Sequence, residues 1–188
     1  MPIGGQVELR LVKTVALVGM MGSGKTAVGR ALAARLDVPF RDSDTEIVEA
    51  AQASIAEIFE RDGEAFFRDR EAEVIARLVR DEPVILSTGG GAFLAERNRH
   101  VISEAGLSVW LKADLELLWE RVRHKETRPL LQTPDPKGTL TQIFNARQDI
   151  YALADVAVEA EPCLSIAEMA DRVLATISGR TDVLKEVS

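Results

Sequence analysis

Short unbroken apolar runs alternate along this chain with longer stretches whose apolar positions recur every three or four residues. Thr14-Val15-Ala16-Leu17-Val18 is a run of the first kind. Such a run predicts a parallel strand buried on both faces. Val28, Leu32 and Leu36 then repeat at helical spacing and predict a helix over 27–36. Gly29 inside that helix is unfavourable on propensity, which a close approach of helix to sheet would explain. Residues 38–44 read as a short strand ending in two acids, Asp42 and Asp44. Ser54 and Glu57 form a capping box that opens a short helix on Ile58 and Phe59, which Asp62-Gly63 closes. A longer helix over 64–80 carries Phe67, Val74, Ile75 and Leu78 on one stripe. Val84-Ile85-Leu86 predicts a second buried strand, and it runs straight into Ser87-Thr88-Gly89-Gly90-Gly91.

The alternation continues. Residues 94–104 read as helix, 107–111 as strand, and Asp114 caps a helix on Leu115, Leu118 and Val122. The pattern breaks over about 121–138, where Arg121, Arg123, Lys125, Arg128 and Lys137 lie among Pro129, Pro134 and Pro136. A helix over 139–153, a strand at 156–158 and a helix opened by the Ser165–Glu168 capping box complete the series. Strands alternating with helices predict an α/β fold in three α/β/α layers, with a five-stranded parallel sheet. One domain over 13–179 is expected, with a lead-in at 1–12, a mobile basic lid at about 121–138 and a frayed polar tail at 180–188.

Chemistry enters at the end of the first strand. Gly19-Met20-Met21-Gly22-Ser23-Gly24-Lys25-Thr26 matches the P-loop pattern G-x-x-x-x-G-K-[ST], between a strand and a helix as that motif requires. Glycines let backbone N–H groups curl around phosphate oxygens, and the helix N-terminus points at the same anion. Lys25 adds a charge toward the β/γ-phosphates, and the Thr26 hydroxyl suits Mg²⁺.

Composition narrows the rest. A net charge of −7 argues against a nucleic-acid binder that needs a basic face. With one cysteine, Cys163, and two separated histidines, His100 and His124, neither a disulfide framework nor a zinc site is expected. No run is long and apolar enough for a membrane span, and the first residues lack signal-peptide character, so a cytoplasmic protein is expected. No long heptad seam is present, which makes a monomer the default.

A P-loop alone serves an NTPase or a kinase. Asp42 and Asp44, two apart on an extended strand, would face the same way. One can hold Mg²⁺ and the other can accept a proton from an alcohol. The strand at 84–86 ends in glycines, with no acid there, so the metal requirement shifts to Asp42. Gly89, Gly90 and Gly91 allow a small ligand to approach backbone closely. Arg147 lies on a partly apolar helix face between Ile143 and Tyr151, and Arg68 has Glu71 three residues on to hold its fork. With the bare glycines, two arginines suggest a bidentate carboxylate site.

These motifs, together with Gly63-Glu64-Ala65-Phe66-Phe67-Arg68-Asp69-Arg70-Glu71 and Arg128-Pro129-Leu130-Leu131, resemble those of the shikimate kinases, within the nucleoside-monophosphate-kinase-like P-loop proteins. The resemblance covers about residues 14–178. It implies ATP-dependent phosphorylation of the shikimate 3-hydroxyl, a step toward chorismate and the aromatic amino acids. It further implies that Asp44, Arg68, Gly89, Gly90, Gly91 and Arg147 hold shikimate, the arginines on its carboxylate. Gly22, Ser23, Gly24, Lys25, Thr26 and Ala27 would wrap the ATP phosphates, Thr26 would ligate Mg²⁺ with Asp42 behind it, and Arg121 would flank the adenine. Asp44, Lys25 and Arg128 would carry the catalysis. The alternatives are another small-molecule P-loop kinase, of gluconate type, and a nucleotide-binding module without turnover. The lid segment 132–136 and the first dozen residues match no motif.

Overall fold

A computed structural model describes residues 8–126 and 128–187. Residues 1–7 of the expected lead-in, Thr127 of the expected lid and Ser188 of the tail lie outside the described residues.

Strand β1 (Glu8–Leu11) precedes the apolar run at 14–18, which is strand β2 (Thr14–Val18), buried at every position. Around it lie β3 (Phe40–Asp42), β4 (Ile85–Ser87), β5 (Gly106–Lys112) and β6 (Val156–Glu159). They form the expected five-stranded sheet, in the order β3-β4-β2-β5-β6 with every pair parallel. All strand C-termini therefore open at one edge, the edge where parallel α/β sheets place ligands. Helices α1 (Lys25–Leu36) and α7 (Ile166–Ile177) pack on each other, and α3 (Ile55–Arg80) packs on α4 (Glu96–Ala105). The main core threads both faces of the sheet, through Leu17, Leu32, Ile75, Leu86, Ile102, Leu111 and Val173. Gly29 is explained as expected. A Cβ there would stand 2.7 Å from the Phe40 ring, so glycine permits α1 to lie close on the sheet.

Several expectations are corrected. The acids at 42 and 44 do not share a strand: β3 ends at Asp42, which caps α2 (Ser43–Ala51) and places Asp44 in that helix's first turn. One expectation holds: Gly63 (φ 85°) breaks the 55–80 segment where the sequence separates a short helix from a longer one. The basic segment at 121–138 is not one loop. Arg121 ends α5 (Leu115–Val122), a 3₁₀ turn spans Pro129–Leu131 with Leu131 buried, and α6 (Pro136–Tyr151) begins on the Asp135 cap.

The chain ends are corrected too. Strand β1 (Glu8–Leu11) pairs antiparallel with β7 (Leu184–Val187), so neither the segment before residue 13 nor that after Gly179 is loose in its described part. Leu11, Val183 and Leu184 anchor this ribbon in the core. No helix of the described residues is long and apolar enough to cross a membrane.

Candidate active site

Between β2 and α1 the chain turns through positive φ at Gly22 (80°) and Gly24 (93°), a region that excludes most side chains. Gly22 is also tight: a Cβ would meet Val122 of α5 at 2.7 Å. The first-turn N–H groups of α1 have no intrahelical acceptors and face out with the positive helix end. The Ser23 hydroxyl is 1% exposed and has no hydrogen-bond partner among the described residues. Lys25 Nζ folds back to donate to the Gly19 and Met20 carbonyls at 2.8 and 2.9 Å. Burial, then the charge of Arg128, pulls its ammonium down to about 8. Donors without acceptors, a buried orphan hydroxyl and a lysine held on loop carbonyls fit a polyphosphate.

Asp42 divides its two oxygens. Oδ1 accepts from the Asp44 and Thr45 amides at 3.0 and 3.1 Å, and Oδ2 lies 3.5 Å from Thr26 Oγ1. The cap turns Asp44 toward the strand ends. Burial, reinforced by Asp42 and Glu71, pushes the Asp44 carboxyl up to about 6. That places a base near neutral pH.

The three glycines after β4 each leave room for a different charged group. A Cβ on Gly89 would stand 2.8 Å from Asp44 Oδ1, one on Gly91 2.7 Å from Arg68 Nη2, and one on Gly90 3.6 Å from Arg147 Nη1. Arg68 is set by α3: its Nη1 donates to Glu71 Oε1 at 2.8 Å, its Nε lies 3.6 Å from Glu64, and its guanidinium lies over Phe67. Glu71 is 1% exposed, and its carboxyl is raised by burial and lowered by Arg68. One acid, two arginines and a strip of bare backbone thus converge at a single strand end.

A cavity of about 580 Å³ joins these pieces, lined by residues 21–28, Asp42, Asp44 and residues 87–90. Arg121, Lys125 and Arg128 close another side, and Leu164, Ser165, Ile166 and Met169 of the α7 entrance a third. Arg121 Nη1 donates to the Gly22 carbonyl at 3.2 Å, and burial lowers its pKa. Arg68, Gly91 and Arg147 do not line this cavity; they stand around the glycine strip at its acid end. The sequence reading missed the α7 entrance. Ile166 is 54% exposed at the first turn of a helix, an unusual place for a large apolar side chain unless something covers it. The Ser165–Glu168 capping box was the available signal, since it puts a helix N-terminus just past the last parallel strand.

The parallel sheet, the phosphate loop and a second, carboxylate-and-arginine end of the same cavity define the class: a P-loop kinase of small molecules. A family model described as shikimate kinase matches residues 21–178. A shikimate kinase of Ruegeria pomeroyi is 63% identical over 182 residues, which cover 97% of this chain and 92% of that protein. The structure of a shikimate kinase from Acinetobacter baumannii in complex with shikimate superposes with a TM-score of 0.83 at 36% identity, over 89% of this chain and 94% of that one. A gluconokinase from Sinorhizobium meliloti, at TM-score 0.58 and 17% identity over 92% of this chain and 95% of that one, shares the fold alone. The chain belongs to the shikimate kinase family. It is an ATP-using kinase of that family, as its motifs implied.

Proposed function

We propose that this chain carries out the family's reaction, transferring the γ-phosphoryl group of ATP to the 3-hydroxyl of shikimate with release of ADP. The carrying observation is the glycine strip, whose three missing side chains leave room for Asp44, Arg147 and Arg68 in turn. Shikimate is a ring that bears a carboxylate and hydroxyls. Arg68 and Arg147 take the carboxylate as charge-assisted pairs, and Asp44 meets the hydroxyl that attacks. With its carboxyl at about 6, Asp44 is ionised at neutral pH and accepts the hydroxyl proton as the oxygen bonds to phosphorus.

At the other end, the amides of residues 22–27 and the Ser23 hydroxyl hold the phosphates. Lys25 exchanges its two loop carbonyls for phosphate oxygens, and with Arg128 it spreads the negative charge that develops on the transferring group. Adenine lies between the Arg121 guanidinium and the Ile166 side chain, which would cover that exposed apolar surface. Thr26 and Asp42 offer hard oxygens 3.5 Å apart, a donor set that suits Mg²⁺, which takes few protein ligands and completes its shell with phosphate and water. When bound there, the ion neutralises charge on the β- and γ-phosphate oxygens. Closure of the segment around Arg128 excludes water, the competing acceptor. The same reading takes the enzyme as cytoplasmic and as a monomer; sedimentation of the purified chain checks the second.

A coupled ADP-release assay tests the reaction. Shikimate should support turnover, and gluconate and nucleoside monophosphates should not. Asp44→Asn should lower kcat by at least about 100-fold, the scale of a lost general base. Equal rates with gluconate would overturn the acceptor assignment, and wild-type turnover by Asp44→Asn would overturn the catalytic role of Asp44.

A further inference from the structure

The glycine strip has no side chains with which to hold itself, yet three charged groups depend on where it lies. Two hydroxyls hold its backbone from opposite sides. The Gly89 N–H donates to Ser43 Oγ at 3.2 Å, and the Gly90 carbonyl accepts from Tyr151 Oη at 2.6 Å. Both residues are 0% exposed, so neither hydroxyl meets solvent. Each also sits beside one of the charged groups. Ser43 precedes Asp44 in the first turn of α2, and Tyr151 lies one turn past Arg147 at the end of α6. The Tyr151 ring is fixed by stacking on Trp110 of β5, with centroids 6.2 Å apart. Burial raises the Tyr151 pKa, so the phenol remains a donor throughout the working range.

We infer that Ser43 and Tyr151 are a pair of positioning residues, a clamp on the Gly89–Gly90 backbone that fixes the spacing between Asp44 and Arg147. The inference rests on the reading that the glycine strip faces the acceptor. Its logic is geometric. A small rigid acceptor must meet its carboxylate partners and its base at once, and an error of about 1 Å in their separation costs heavily in rate. Among the described residues no hydrogen bond or ion pair joins α2 to α6; Ser43 ties α2 to Gly89, and Tyr151 ties α6 to the adjoining Gly90. Losing one tie frees the strip on that side and leaves a buried polar group without a partner.

Ser43→Ala and Tyr151→Phe each delete a hydroxyl and keep the rest of the side chain. Each variant, confirmed as folded by its thermal transition, should raise KM for shikimate or lower kcat by about tenfold, the scale of one buried hydrogen bond left unmade. KM for ATP should stay within about twofold, because the P-loop is untouched. In Ser43→Ala the Gly89 amide should exchange with solvent faster than in the wild type, read by hydrogen exchange. Shikimate kinetics unchanged in either folded variant would overturn the clamp. Parallel increases in both KM values would overturn it as well, since they would report general loosening. Asp44→Asn and Arg147→Ala serve as controls. If they too leave shikimate kinetics unaltered, the site reading falls and the clamp with it; if only the hydroxyl variants are silent, the clamp alone falls.

Discussion

Asp44 and Lys25 bracket neutral pH from opposite sides. Burial pushes the Asp44 carboxyl from 3.8 up to about 6, and burial pulls Lys25 from 10.5 down to about 8. The proposed mechanism needs Asp44 ionised and Lys25 protonated, which would make the free enzyme fully competent only between those values. We expect kcat/KM for shikimate to fall on the acid side of pH 6 and kcat/KM for ATP to fall on the alkaline side of pH 8. Rate profiles with the second substrate saturating separate the two limbs; a flat response from pH 5 to 9 would exclude both roles. The sign for stability differs from the usual carboxylate. Asp44 binds its proton more readily folded than unfolded, so its contribution falls as pH rises from about 4 to 6 and is constant above. The glycines make a second, internally controlled prediction. Gly91→Ala puts a methyl 2.7 Å from Arg68 Nη2, the free end of a flexible side chain, whereas Gly90→Ala makes ordinary contact at 3.6 Å. The first should fold and raise KM for shikimate about ten- to 100-fold, as expected for loss of a charged hydrogen bond; the second displaces no protein group, so a rise in KM from it reports crowding of the acceptor itself. At this scale the sequence was informative for the P-loop, because a contiguous motif carries its own geometry. It misplaced Asp44, because the strand was read through residue 44 with both acids on one face. The cap bonds from Asp42 start a helix there instead.

Among the elements, α2 and the first part of α3 pack separately from the sheet. Ile47, Ile58 and Phe67 form a small cluster of their own, with Phe59 and Phe67 rings 4.8 Å apart. Arg68 follows Phe67 directly, so the carboxylate end is hung on this cluster and the phosphate end on the main core. Phe67→Ala should cost about 3–5 kcal/mol locally, as large-to-small changes in packed sites do. It should raise KM for shikimate several-fold and leave KM for ATP alone. Equal effects on both would show that the cluster is not independent. The strand–helix alternation was readable because each buried strand is an unbroken apolar run between periodic helices. Helix α2 was not: it is 9 residues long with two buried side chains, too few to print a stripe. The α7 entrance was missed for another reason. The capping box set its N-terminus near the strand ends, but its approach to the P-loop comes from tertiary packing of α1 on α7, which the box alone does not specify.

At the scale of the molecule, the two ends close on each other. Strand β1 pairs with β7, four residues each, and the partners stand at opposite ends of the sequence. Each of these strands buries one side chain of four, so neither prints an apolar run, and pairing across nearly the whole chain leaves no local trace, hence the expectation of a frayed tail. Val183 and Leu184 are 0% and 3% exposed. Burying side chains of this kind is worth about 1.5–3 kcal/mol each. A chain ending at Gly179 should therefore lose several kcal/mol in denaturant unfolding while its KM values hold, because no residue of the ribbon lines the cavity. An unchanged midpoint would show the ribbon to be ornamental to stability. The ribbon has a mechanical consequence as well. Glu8 and Val187 stand opposite each other at its outer end, so a load applied through the two termini peels the cross-strand hydrogen bonds one at a time rather than shearing them together. Stretched from its ends, the molecule should yield first at this zip-like seam, at low force, with the parallel sheet and the catalytic cavity still intact behind it.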